Sequence, residues 1–193
     1  MHDIEPWWGW RDEYIAENDK KSPYHGSVYD EFTFSNKIYN YYIHPQWDFF
    51  GSETLYGKII YVNYSTHFAV IELIGEWNDC LHNDIMFLKR GLVDILNKNK
   101  IYKFVLICEN VLNFHGDDDS YYEEWYDDIK DDNGWISIIN TYDHVSNEMS
   151  KYKLHNYLNF GQSFNEISWR TVKPIFLMDI IEDILNYNPK LIS

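Results

Sequence analysis

Cysteine is scarce in this chain. Cys80 and Cys108 are the only two; they fall in different elements and form neither a metal-spaced pair nor a disulfide framework, which points to a reducing compartment. No apolar run approaches the length needed to cross a membrane. The start, Met-His-Asp-Ile-Glu-Pro-Trp-Trp, has neither the basic residues nor the apolar stretch of a secretory leader. The expectation is a cytoplasmic protein with no membrane partner. Basic residues are also few: 16 Lys and Arg stand against 31 Asp and Glu, a formal charge of -15. That balance removes the phosphate attraction on which DNA and RNA binding depends, so no nucleic-acid partner is expected. Also missing are a Gly-rich phosphate loop, a Gly-x-Ser-x-Gly elbow, a His-Glu-x-x-His helix, internal repeats and low-complexity tracts. Hydrolytic and nucleotide-dependent chemistry thus has no positive support, and the chain reads as a non-enzyme without a cofactor.

What is abundant is aromatic: 17 Tyr, 11 Phe and 8 Trp, many of them ahead of the core elements. Such side chains serve packing and interfaces. The chain is organised around residues 101 to 120. Its first seven residues, Ile-Tyr-Lys-Phe-Val-Leu-Ile, are almost continuously apolar, as in a strand covered on both faces. A helical pattern precedes it and another follows, so the strand delivers the turn His115-Gly116-Asp117-Asp118-Asp119-Ser120 to a sheet edge, where ligands meet layered α/β folds.

In chain order, a short helix is expected over 11–18 and a loop around Pro23 and Gly26. Strands are expected over 28–34 and 37–43, turning at Ser35-Asn36, then over 54–63 and 67–75. The spacing of Ile85, Leu88, Leu92, Ile95 and Leu96 predicts a helix over 79–100, capped by Asn83 or Asp84, with Gly91 marking close packing against the sheet. A second helix, 119–130, has Tyr122, Trp125, Tyr126 and Ile129 on one face and carboxylates on the other, with Asp118 or Asp119 as cap. A strand over 135–140, a helix over 143–152, a final strand over 157–160 and a helix over 175–185 with Phe176, Ile180, Ile181 and Ile184 apolar complete the pattern. The fold class is α/β: a layered mixed sheet with helices, preceded by an aromatic, β-rich extension over 1–54, with the α/β domain over 55–193.

The run Trp135 to Phe160 carries an apolar strand ending in Asn140, a short helix with Val145, a later Leu and a short final strand. In this it resembles the closing segment of STAS domains, the anti-sigma-factor-antagonist fold, and the order of elements over about residues 55–160 resembles that family and its SpoIIAA-like relatives. Family members place an Asp-Ser-Ser-Gly motif after the buried strand, with a phosphorylated serine and a helix that docks on a kinase or partner. Here that region reads Phe114-His115-Gly116-Asp117-Asp118-Asp119-Ser120. Ser120 is the nearest hydroxyl and the candidate for phosphorylation, but the neighbouring carboxylates repel phosphate, so the phosphoswitch is not carried over. The Phe-His-Gly turn is closer to the SpoIIAA-like branch, for which the resemblance implies binding without one defined ligand.

The densest chemistry is acidic: Asp117, Asp118, Asp119, Glu123, Glu124, Asp127, Asp128, Asp131 and Asp132. It reads as a solvated helix face, as a surface for a basic partner, or as a cation shell. The calcium-loop pattern fails, because Ile129 stands where the first carboxylate belongs, and no metal site is assigned. The pairs Glu123/Asp127 and Glu124/Asp128 repel one another at i,i+4, so a cation or a partner's Lys and Arg is expected to offset them. The functional expectation is a non-catalytic regulatory or scaffolding module that binds a protein of basic character through His115, Asp117, Asp118, Asp119, Glu123, Glu124 and Asp127. The alternatives are a metal-dependent hydrolase using His115 with Asp117 and Asp119, assisted by His144 or Glu109, and a structural homo-oligomer, such as a homodimer, built on the aromatic extension. The aromatics of 41–50, and Trp7, Trp8 and Trp10, read either as a contact surface or as anchors of that extension.

Overall fold

A computed structural model describes residues 4–187. Residues 1–3, part of the start read above, and 188–193, the end of the second unit, lie outside it. Two two-residue strands, β1 (Lys37–Ile38) and β2 (Tyr41–Tyr42), form a small antiparallel sheet. The main sheet has four strands in the order β3 (Leu55–Asn63), β4 (Phe68–Asn78), β5 (Lys103–His115) and β6 (Trp135–Ile139). β3 pairs with β4 antiparallel, while β4–β5 and β5–β6 are parallel. Between them stand α1 (Asp79–His82), α2 (Asp84–Leu88), a π-helical segment (Lys89–Val93), α3 (Asp94–Lys98) and α4 (Ser120–Lys130); α5 (Asp143–Lys151) and α6 (Pro174–Tyr187) follow. The chain is a mixed α/β protein.

β5 holds the centre, and its side chains alternate between two cores. Phe104, Leu106 and Cys108 join the first core with residues of α2, α3, α4 and α5. Val105 and Ile107 join the second, with Trp10, Phe164, Trp169 and, from α6, Leu177, Ile181 and Leu185. Period-two alternation therefore puts apolar residues on both faces of one strand, and the continuous apolar run is the result. Each fully buried Leu, Ile or Phe contributes about 1.5–3 kcal/mol.

Several expected elements differ. Residues 28–34 form no strand, and the hairpin shrinks to β1 and β2, since the alternation there has no neighbouring sheet to bury it. Residues 11–18 form turns and one 3₁₀ turn, Ala16–Asn18, in place of a helix. The expected helix over 79–100 is broken by Asn83 in the left-handed region (φ 53°) and by the π segment. Asn83 holds the N-cap position of α2 but makes no side-chain cap bond; the side-chain cap is at the start of α1, where Asn78 accepts from the Leu81 N–H. Gly91 sits against the Phe50 carbonyl, 2.5 Å from where a Cβ would stand, so the loop after β2, not the sheet, requires it. The expected strand over 157–160 is one parallel bridge, Ser137 to Asn159. In α6 the buried face is Leu177, Met178, Ile181 and Leu185, while Phe176 is exposed and Ile180 and Ile184 are half-buried.

The extension wraps the sheet. Trp10 enters the second core, Ala16 and Phe50 the first, and Ile38, Ile43 and Trp47 pack on Tyr56 and Ile74 in a third. Buried Lys58 of β3 reaches Glu17 at 2.5 Å and Asp48 at 3.2 Å.

Candidate functional site

In the sheet order β3-β4-β5-β6 the strand order never reverses, so the crevice that a doubly wound sheet opens at its switch point has no counterpart here. The carboxyl edge is shaped instead by α1 and the turn 116–119. Asn78 and His115 end their strands side by side, and two buried carboxylates follow Asn78. Asp79 accepts from Trp77 Nε1 (3.0 Å), the Ile85 N–H (2.8 Å) and the Tyr122 hydroxyl (2.5 Å). Asp84 accepts from Ser52 (2.6 Å), Thr54 (2.8 Å) and the Asn78 N–H (2.7 Å). Burial pushes the Asp79 carboxyl up to about 7, against its hydrogen bonds and with help from Asp84; burial also raises Asp84. These two residues tie α4, α1 and the start of β3 into one frame. In the sequence Asp84 reads only as a candidate helix cap and Asp79 only as the residue that opens the helix, because their partners Ser52, Thr54 and Tyr122 are distant along the chain.

Above that frame lies the turn. His115, Asp117, Asp118 and Ser120 are exposed and Gly116 is buried against the Tyr152 ring. Asp118 accepts from the Ser120 N–H (2.9 Å) and from its hydroxyl, which hold the carboxyl below its ordinary value. Ser120, the candidate for modification, therefore has its oxygen engaged by Asp118. Asp119 makes no side-chain cap; it accepts from the Tyr157 hydroxyl at 3.0 Å. A cavity of about 210 Å³ opens between α1 and the turn, lined by Asp79, Leu81, Asn83, Asp117, Asp118 and Tyr121.

Along α4 the carboxylates divide. Lys89, itself fully buried, reaches Asp94 (2.7 Å), Glu124 (3.1 Å) and Asp128 (2.7 Å). Burial alone would lower its pKa, but hydrogen bonds to the three carboxylates outweigh that and raise it. Arg90 grips Glu124 with two hydrogen bonds, 2.7 and 2.8 Å, and Asp94 with a third at 2.8 Å. Asp127 pairs with Lys130 at 2.6 Å. The expected offset of the i,i+4 repulsion at Glu124 and Asp128 is thus internal, supplied by the π segment, and needs no outside cation. Among the described residues Asp117 and Glu123 stand in no ion pair.

The two side chains expected to assist His115 are engaged elsewhere. Glu109 is bound by the Arg170 guanidinium, and the His144 ring bonds the Leu112 carbonyl at 2.7 Å. Among the described residues no three His, Cys, Asp or Glu side chains are placed to hold a metal ion. Roomier clefts lie elsewhere. One of about 430 Å³ is at the amino ends of β5 and β6, beside Lys103, Tyr126, Trp135 and Glu182; another of about 570 Å³ is between α5 and the loop 160–165. No helix among the described residues is long and apolar enough to cross a membrane. Compared with known proteins, the chain matches no family model and no curated sequence.

Proposed function

We propose that the chain is a non-catalytic binding module, regulatory or scaffolding in role, whose partner is a basic protein engaged at the turn 115–119 and the first turn of α4. One observation carries the reading: among the described residues Asp117, at the cavity, and Glu123, in the first turn of α4, are exposed and in no ion pair, whereas Glu124, Asp127 and Asp128 farther along α4 are taken up by Lys89, Arg90 and Lys130. Of the residues expected to make the contact, Glu124 and Asp127 are thereby left out, and Asp117, Asp118 and Glu123 stand at its centre. Unpaired exposed carboxylates accelerate association with a cationic partner and select against acidic ones. The STAS resemblance favours the same place, since that family docks through the loop and helix after its buried strand.

The test is affinity capture from the native cell extract. The parent chain is expected to retain a discrete basic protein, as is a Glu124→Gln/Asp128→Asn variant, while Asp117→Asn/Glu123→Gln loses it. Equal capture by all three would remove the turn from the interface.

A further inference from the structure

The hairpin β1–β2 and the loop behind it leave four aromatic rings in solvent: Tyr39, Tyr41, Tyr42 and Phe49 are 52%, 67%, 45% and 54% exposed. Their neighbours in the same segment, Ile43, Trp47 and Phe50, are buried, so the segment both anchors itself and presents a face. Phe49 and Tyr42 are joined through their neighbours: Phe49 lies 5.8 Å from Tyr56, the Tyr56 hydroxyl donates to the Lys37 carbonyl, and the Lys37 ammonium sits 4.5 Å over the Tyr42 ring. Beneath them is a cleft of about 330 Å³ lined by Lys37, Tyr39, Phe49, Glu53, Tyr56 and His82. Apolar patches of this kind on a folded chain mark contact sites.

The cleft belongs to the same edge as the turn. The Tyr39 hydroxyl donates to Glu76 at the end of β4 (2.9 Å), and Glu76 accepts from Asn113 on β5 (3.4 Å). Helix α1 is the wall between them, with Leu81 lining the turn cavity and His82 the cleft. The turn cavity is lined by Asp79, Asp117 and Asp118 and by no Lys or Arg, while the cleft carries one carboxylate, Glu53, and one ammonium, Lys37, which is drawn over the Tyr42 ring.

We propose that the cleft receives an arginine side chain of the basic partner, seated between the Tyr39 and Phe49 rings with its charge met by Glu53. The proposal rests on the reading of the turn as a contact for a basic protein and adds a second, aromatic half to it. Ring faces with a carboxylate at the rim suit a planar guanidinium, which stacks and donates at once. The chain uses this combination internally: the Arg170 guanidinium lies 4.3 Å from the Trp169 ring while donating to Glu109.

The test titrates a short arginine-rich peptide into the full chain at low salt, with a glutamate-rich peptide as control. Tyr39 and Phe49 ring protons are followed by NMR and affinity by fluorescence anisotropy. Binding of the arginine peptide with shifts at both rings is expected, together with a weakening of about three- to tenfold in Phe49→Ser and in Glu53→Gln. Both residues are exposed, and circular dichroism checks that the variants fold. Unchanged affinity in these two variants, with loss in Asp117→Asn/Asp118→Asn, overturns the cleft and leaves the turn reading intact. The opposite pattern keeps the cleft and overturns the turn. No arginine-peptide binding, or equal binding of the control, overturns the inference, as does a concentration-dependent dimer that Phe49→Ser abolishes, since a second copy would then be the occupant.

Discussion

Glu72 stands in the middle of β4 with 1% of its surface exposed. One carboxylate oxygen accepts from the Trp7 N–H at 2.7 Å; the other has no hydrogen-bond partner, and Arg170 stays 3.9 Å away. Burial, aided by the charge of Glu109, pushes its pKa up to about 7 against the pull of Trp7 and Arg170. A carboxyl with a raised folded-state pKa contributes stability below its unfolded value of 4.5, and that contribution is lost as pH rises through 7. Glu72→Gln is therefore expected to flatten the fall in stability between pH 4.5 and 7, a change on the order of 3 kcal/mol, measured by urea unfolding across that window. Lys89 is the converse case, a buried cation among three carboxylates that are themselves partly exposed. Lys89→Met leaves those carboxylates facing one another and is expected to cost about 1–3 kcal/mol, less than for a wholly buried pair, read from the same unfolding curves.

The broken helix between β4 and β5 shows how an element obeys its neighbours. Ile85, Leu88, Leu92, Val93 and Leu96 all reach the first core, so helical periodicity survives, yet the π segment inserts where Gly91 meets Phe50. π insertions are uncommon and need outside support. Here that support is the close approach to Phe50 and the pairing of Lys89 and Arg90 with α4. Gly91→Ala drives a methyl into the Phe50 carbonyl and is expected to lower stability by about 1–3 kcal/mol, with loss of Phe50 burial visible in its NMR shifts. β5 makes a related point: β6 pairs with it only from Lys103 to Ile107, and beyond that the His144 ring takes the Leu112 carbonyl, closing part of a strand edge that would otherwise invite pairing.

For the whole molecule, the decisive fact is that both faces of the sheet are covered, one by α2 to α5 and the other by α6, the loop 164–169 and Trp10. Trp10 is 5% exposed, packs edge-on against Trp169 at 5.4 Å and donates to the Val172 carbonyl. Trp10→Ala should therefore cost about 3–5 kcal/mol and expose dye-binding apolar surface, a test of the extension as part of the fold. A formal charge of -15 repels itself. Raising salt from low ionic strength to about 0.3 M should raise the melting temperature by a few degrees in a thermal scan, an effect confined to screening of exposed charges.

By itself the sequence located the strands, read as 54–63, 67–75, 101–107 and 135–140, and the helices, read as 119–130, 143–152 and 175–185, together with the arrival of an acidic turn at a sheet edge; the structure carries β4 on to Asn78 and β5 on to His115. These follow from periodicity and apolar runs, which are properties of neighbours along the chain. Only the tertiary structure decided which carboxylates of the turn and α4 are paired, because Lys89 and Arg90 lie 34 to 39 positions before the α4 acids they neutralise. It alone also shrank the 28–43 hairpin, broke the helix expected over 79–100 and brought Tyr39, Glu76 and Asn113 together. Contacts between distant segments depend on how layers stack, and a pattern of residues along one segment carries no record of what packs on it.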